Sequence, residues 1–379
     1  AVLDTDELRA CDALNELVLY GLLERQGQRW QVSHALIQTF ARSEQPLQSE
    51  DLERLARYYI DFCETQSAAG LPGYALLDGE RAHCLRLIES FLDRELWQEV
   101  KGLVRAINTY LDRQGHWTEK LAALEMFLTA ARQADDRRDE AWCLNELGLT
   151  CWRRGEKDQA LRWYEQCLPI CRELGARKEE GVTLNNMAQI YRQQGKYEQA
   201  LEQYEESLSI LREVGNREVE GTTLNNIGML YWAQEKYEEA LPYYEQCLPI
   251  HREVGNKIVE GITLNNIAII HHTQKEYSKA MEYYEQALTV AQELGDKAGE
   301  ANRCWNIGRT YEDMGDLAQA EEYITLAVEI AEAIGHPSLE KYRDGLAQVR
   351  AISNSRWRFW FYKVGKTLLN WMRAKRQGA

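Results

Sequence analysis

The sequence lacks most of the marks by which enzymes and membrane proteins announce themselves. No stretch approaches about eighteen uncharged apolar residues, so no bilayer-crossing helix is expected, and no secretory leader opens the chain. The nine cysteines include no CxxC pair, and no cysteine–histidine cluster has ligand spacing; neither a metal nor a cofactor is expected. Cys143, Cys167, Cys247 and Cys304 read instead as small core residues of a reducing compartment, which places the protein in the cytoplasm. A GxxxxGK[ST] loop is missing, so this chain alone cannot hydrolyse nucleotide. No nucleophile–base set or carboxylate pair stands out from the surface charge, and no enzyme activity is expected. Excess positive charge is lacking too: 60 acidic against 45 basic residues leave a net charge of -15, which disfavours nucleic acid as a partner.

What the chain has is a phrase that returns every forty residues: Leu184-Asn185-Asn186, Leu224-Asn225-Asn226 and Leu264-Asn265-Asn266, with weaker copies at Leu144-Asn145-Glu146 and Cys304-Trp305-Asn306. A fixed period in this range predicts stacked helical hairpins, each burying its apolar face against its neighbours. In the copy beginning at Gly181, Leu184, Met187, Ala188 and Tyr191 fall at i, i+3, i+4 and i+7, the stripe of a first helix, A. After Gly195, the residues Tyr197, Ala200, Leu201, Tyr204 and Leu208 draw a second stripe, helix B, which runs toward Val214 and ends at Gly215. Gly175, Gly255, Gly295 and Gly335 hold the same capping place in the other copies. Small residues recur where helix backbones must approach: Gly148, Ala188, Gly228, Ala268 and Gly308 on A, and Ala160, Ala200, Ala240, Ala280 and Ala320 on B. Tyr164, Tyr204, Tyr244 and Tyr284 fill the gaps beside them. Pro169 and Pro249 fall inside helix B and predict a bend there.

This small–large alternation resembles the tetratricopeptide repeat. Five copies agree in register from Ala141 to about Glu340, and a degenerate sixth (Val104, Ile107, Leu111, Gly115, Trp117) keeps the period upstream. The resemblance implies an all-α fold, a right-handed superhelical solenoid of helical hairpins. The common form is about thirty-four residues long, so the longer unit here must lengthen the helices or the turn, helix B most of all. Such longer units resemble those of kinesin light chains and spindle-orientation adaptors, which hold extended peptides.

Upstream, the residues from Ala13 to Glu24 read as an amphipathic helix, Leu23 to Glu24 and Arg29 to Val32 as a short strand pair turning at Gln26-Gly27, and His34 to Ala41 as a second helix. The order helix, β-wing, helix resembles the winged helix that follows the nucleotide-binding core in STAND-type ATPases, the class with NB-ARC modules. Leu14, Leu17, Val18, Leu22 and Leu23, then Trp30, His34, Leu36, Ile37, Phe40 and Ala41, stand at the positions of its pattern. The resemblance implies that His34 contacts the β-phosphate of ADP held by an upstream core domain, so ADP or ATP would concern this chain only through that domain. Ala35 stands where eukaryotic members often carry Asp, and the alternative for His34 is a packing role at a helix N-terminus. Starting at Ala1 inside what reads as a domain, the chain is expected to be the C-terminal part of a longer protein. Asp51 to Phe62 and Glu80 to Phe91 read as helices around a loop from Glu64 to Asp78 that contains Gly70, Pro72 and Gly73. The expected organisation is a winged-helix fragment over 1–45, a helical connector over 46–100, the array over 101–340, a capping helix and linker over 341–355, and a tail helix over 356–379.

On helix A the residues 185, 189 and 192 share a face distinct from the apolar stripe. In tetratricopeptide arrays that face lines the concave groove, so the resemblance implies a protein- or peptide-binding floor. Its members are Asn145, Leu149 and Trp152; Asn185, Gln189 and Arg192; Asn225, Met229 and Trp232; Asn265, Ile269 and His272; and Trp305, Arg309 and Glu312. An amide both donates and accepts, so it can hold a peptide backbone of any sequence at ~0.5–1.5 kcal/mol per bond. Selectivity would come from Trp152, Met229, Trp232, Ile269 and His272. The second asparagines, Asn186, Asn226, Asn266 and Asn306, match residues that clamp ligand termini in related arrays; the alternative is that one amide of each pair satisfies groups between adjacent repeats.

After a solvating helix to about Ile352 the composition changes. From Arg356 to the end there are seven Lys or Arg and no acid, and Trp357, Trp360, Phe361, Val364, Leu368 and Trp371 fall on one helical face. Peripheral contact with an anionic membrane is one reading, at about 1 kcal/mol per basic residue. Capping of the last repeat, docking on the acidic body, or contact with a partner protein are the others. Taken together, the residues point to a binding scaffold: the ligand-sensing, regulatory end of a STAND-like signalling ATPase, with a stand-alone adaptor of kinesin-light-chain type as the alternative.

Overall fold

The computed structural model describes residues 23–26, 29–32 and 49–354 of the chain. A strand pair comes first: β1 (Leu23–Gln26) and β2 (Arg29–Val32) run antiparallel, with Leu23 opposite Val32 and Gln26 opposite Arg29. The other segments expected of a winged helix, His34 among them, lie outside the described residues, as do Trp357, Trp360, Phe361 and Trp371 of the tail. Everything else described is helix and turn, in two units, 1–176 and 177–379.

The first unit contains α1 (Ser49–Ala68), α2 (Leu71–Asp93), α3 (Trp97–Arg113), α4 (Trp117–Gln133), α5 (Arg137–Arg153) and α6 (Lys157–Glu173). Its core is one apolar cluster that includes Ile88, Phe91, Leu103, Leu124, Phe127 and Leu147. The loop expected from Glu64 to Asp78 is much shorter, because Pro72 sits in the first turn of α2, where the N–H it lacks has no intrahelical acceptor to lose. Close approach fixes the crossing there: a Cβ on Gly73 would stand 2.0 Å from the carbonyl oxygen of Gln66. Two lysines are sunk between helices. Lys101 lies 2.8 Å from Asp136 and 2.7 Å from Asp139, and Lys120 lies 3.1 Å from Asp112 and 3.0 Å from Glu146. Burial alone would lower the Lys101 pKa, but its two carboxylates outweigh burial and hold it above the ordinary value.

The second unit is four hairpins in succession: α7 (Arg177–Gln193) with α8 (Tyr197–Glu213), α9 (Arg217–Ala233) with α10 (Tyr237–Glu253), α11 (Lys257–Thr273) with α12 (Tyr277–Leu294), and α13 (Lys297–Met314) with α14 (Leu317–Ile334). A further helix, α15, covers residues 339–354. Both helices of the first two hairpins have 17 residues, so the added length is shared and does not fall mainly on helix B. The reason is the caps. Asn216, Asn256 and Asp296 accept from the N–H three residues on and start helix A four residues ahead of Gly221, Gly261 and Ala301.

Turns recur every twenty residues with one residue in the left-handed region. Glycine fills it at Gly215 (φ 69°) and Gly255 (φ 71°), but Glu235 (φ 59°) and Lys275 (φ 62°) adopt it at about 1 kcal/mol each. Pro242 and Pro249 are accommodated within α10, which runs unbroken across both. Between the helices of each hairpin the small residues do what their spacing requires: Ala200, Ala240, Ala280 and Ala320 are fully buried, and a Cβ on Gly228 would stand 2.7 Å from the Tyr244 ring. The eight described cysteines are buried thiols; burial pushes Cys304 up to about 11. Among the described residues no helix is long and apolar enough to cross a membrane.

Candidate functional site

Two polar networks set the spacing of the A helices and so the face they share. The first is an ion-pair clamp at the start of each. Glu220 is buried, with Arg212 from the preceding B helix at 3.1 Å and Arg217 from its own first turn at 2.7 Å; Arg217 also reaches Glu253 at 3.0 Å. The next junction repeats the arrangement, with Glu260 held by Arg252 at 2.8 Å and Lys257 at 3.4 Å, and Lys257 3.5 Å from Glu293. In the first unit Glu140 is held by Arg132 and Arg137 in the same way. Sequence reasoning treated these charges as solvated surface. The signal available was their period: Glu140, Glu180, Glu220, Glu260 and Glu300 recur at forty residues, each with a cation three residues before it.

The second network is a ladder of amides. Asn185 Oδ1 accepts from Thr223 at 3.2 Å and from Asn226 Nδ2 at 3.2 Å, while its own Nδ2 donates to Asn186 at 3.4 Å. Asn225 Oδ1 accepts from Thr263 at 3.4 Å and its Nδ2 lies 3.6 Å from the Met229 sulfur. Asn265 Oδ1 accepts from Asn306 Nδ2 at 3.0 Å. Asn185, Asn225 and Asn226 are buried; Asn145, Asn186, Asn265, Asn266 and Asn306 are half-buried. These bonds span neighbouring A helices, so the amides hold the face together whatever else they do. Asn226→Ala is expected to lower stability by about 1 kcal/mol, or roughly 2–4 °C in melting temperature, since Asn185 Oδ1 loses one of two donors. Circular dichroism on heating measures this.

Beside the ladder runs a row of half-buried side chains one turn further along each A helix: Gln189 and Arg192, Met229 and Trp232, Ile269 and His272, then Arg309, with Trp152 the matching residue of α5 in the first unit. Several are held by local contacts. Trp232 packs on Tyr237 with ring centroids 4.8 Å apart, His272 on Tyr277 at 5.6 Å, and His272 Nε2 lies 3.0 Å from Asp313. Arg309 pairs with Glu312 at 2.5 Å and lies over the Trp305 ring at 5.8 Å. Trp305 itself is covered: Tyr342 of α15 stacks on it at 4.9 Å, and Gly345 leaves room for its ring. The helix read as solvating thus buries Tyr342, Leu346 and Val349 against the last hairpin, a spacing of i, i+4 and i+7 that was present to be read.

Helical hairpins repeated at one period, with recurring polar links between neighbouring helices, define a class of protein-binding scaffolds. The chain belongs to the tetratricopeptide-repeat family, whose model matches residues 109–173, 179–253 and 259–333. No curated protein sequence matches the chain. Among solved structures it is similar to a signal transduction ATPase with numerous domains (STAND) that has a tetratricopeptide repeat sensor, from Pyrococcus horikoshii, at 20% identity and TM-score 0.61, covering 94% of this chain and 57% of that one. It is also similar to BtubC (BKLC) from P. vanneervenii, at 23% identity and TM-score 0.52, covering 58% of this chain and 92% of that one. A Rap protein complexed with competence and sporulation factor matches at 12% identity and TM-score 0.50, over 80% of this chain and 98% of that one. At such identities the likeness is one of fold. The chain spans little more than half the length of the STAND protein.

Proposed function

We propose that the shared face of the A helices binds an extended peptide or protein segment, and that the array is the ligand-sensing part of a STAND-like signalling ATPase. The observation that carries the reading is the row Met229, Trp232, Ile269 and His272: large side chains left half-exposed on one face while the asparagines beside them lock that face in place. Exposed aromatic and aliphatic groups on a rigid support are what peptide recognition requires, because their desolvation supplies affinity at little ordering cost. The sensor role draws on the likeness to the STAND protein, which extends over 94% of this chain. His34 would act in it only alongside a nucleotide-binding core.

The test is to select binders from a random dodecapeptide phage library on the whole chain and to rebind them to Trp232→Ala and Ile269→Glu. Each substitution is expected to weaken binding at least about tenfold, a loss of roughly 1.4 kcal/mol or more, with little change in melting temperature. Binders indifferent to both would remove this face from consideration.

A further inference from the structure

Arg303 breaks the repeat. Thr183, Thr223 and Thr263 hold its place in the preceding copies, and Thr223 there simply donates to Asn185. Arg303 instead reaches across from α13, donating from Nη1 to the Gly299 carbonyl at 3.2 Å and from Nη2 to the Gly261 carbonyl at 3.3 Å. Its Nε is buried and has no acceptor. Burial pushes the guanidinium pKa down and Asp296 pulls it up, yet among the described residues no carboxylate comes within ion-pair distance of it. A guanidinium keeps its proton under such conditions, so the junction holds a half-buried cation whose charge two carbonyls do not neutralise.

Gly299 stands where Val219 and Val259 stand in the earlier copies; a Cβ there would lie 2.1 Å from Asp296 Oδ2 and 2.9 Å from Arg303 Nη1, so glycine leaves room for both side chains. A cavity of about 450 Å³ opens at this point between α11, α12 and α13, with Arg303 in its wall. The volume falls in the range of about 300–1,000 Å³ common to small-ligand sites. Its remaining walls are aliphatic and wet: Ile258, Ile262 and Leu294 are 66%, 41% and 44% exposed. At the previous junction the corresponding residues are Glu218, Thr222 and Val254, so the cation at 303 and the isoleucines at 258 and 262 are what distinguish this one from it. Asn302 offers little at the rim, since its amide already donates to Ala298 and accepts from Tyr342. Asp296, exposed at the rim with Oδ1 accepting from the Gly299 N–H at 2.9 Å, would repel a second negative charge.

We propose that this cavity binds a small aliphatic monocarboxylate, the carboxylate on Arg303 and the hydrocarbon against Ile258, Ile262 and Leu294. A charge-assisted bond to a guanidinium is roughly twice as strong as a neutral hydrogen bond, and the aliphatic walls gain by being covered. The site is separate from the peptide-binding face and stands whether or not that face binds peptide. The same chemistry occurs at the C-terminus of a peptide ending in leucine, and the experiment separates the two sources.

Calorimetric titration of the whole chain would use octanoate, octanamide, suberate and acetyl-glycyl-leucine. Octanoate is expected to bind at millimolar concentration or below, octanamide and suberate at least about tenfold more weakly, and acetyl-glycyl-leucine more weakly than octanoate. Arg303→Thr, which restores the residue of the other copies, is expected to abolish the preference for octanoate over octanamide, while Trp232→Ala leaves it unchanged. Should Arg303→Thr fail to fold, Ile262→Asp at the exposed wall is expected to weaken octanoate about tenfold by adding a like charge. Equal binding of octanoate and octanamide, no binding of octanoate, or tighter binding of the peptide acid would each overturn the assignment.

Discussion

Glu220→Ala is expected to destabilise the second unit by about 2 kcal/mol and to lower its melting temperature by roughly 4–8 °C. Breaking a fully buried ion pair costs about 3–5 kcal/mol, because the abandoned charge stays in a medium that cannot solvate it. Here the abandoned cations are not buried. Arg212 and Arg217 are 49% and 42% exposed and can rehydrate, so the expected cost falls below that range. What remains is the loss of the links between α8, α9 and α10, since Arg217 bridges from Glu220 to Glu253. Glu218→Ala, an exposed site on the same first turn, supplies the control and is expected to change stability by no more than about 0.5 kcal/mol. Equal shifts for the two variants in a thermal melt would show that the clamp is ordinary surface charge.

Gly73→Ala tests the opposite kind of feature, one where local propensity and packing disagree in sign. Alanine in the interior of a helix is favoured over glycine by about 0.5–1 kcal/mol, so on propensity alone the substitution should stabilise α2. The added methyl, however, would stand 2.0 Å from the Gln66 carbonyl oxygen and 2.8 Å from its carbon. These are backbone atoms, and no rotamer change removes them. The crossing of α1 and α2 must open, exposing part of the cluster around Cys63, Leu77 and Ile88, and the expected net loss is about 2–3 kcal/mol. A melting temperature that rises would mean that the two helices separate without strain.

The fold was legible because its two strongest signals are periodic. Leucine, glycine or alanine and tyrosine return in step, and each of those residues is small or large for a reason that depends on its immediate neighbours alone, which is why Ala200 and Tyr204 could be read as core from spacing. The start of helix A was harder to read from the apolar stripe, because Asn216 and Asn256 cap it ahead of that stripe. The face was legible only in part. Helical spacing set Asn185 and Asn225 apart from the apolar stripe, but whether an amide serves a ligand or the next helix depends on distances between helices, and no spacing along the chain encodes those. Trp305 shows the same limit: one helical residue looks like the next until Tyr342 is found lying on it. Charges were the hardest to read, since Glu220 and Glu218 are the same residue two positions apart and only one is sunk between helices.

The ion-pair clamp and the amide ladder recur at one period, and that has an evolutionary corollary. Excising residues 217–256 would bring Arg212 to Glu260 and Asn185 to Thr263, each meeting a partner of the kind it has now, while Glu213 keeps Arg177 and Lys257 keeps Glu293. A block cut at this junction therefore leaves the polar bonds on either side intact, so the gene could gain or lose one by unequal recombination without inventing a new interface. Arg303 and Gln292, which replace the common residues at the last junction, mark the one block of the second unit that could not be traded in this way without losing what is particular to it.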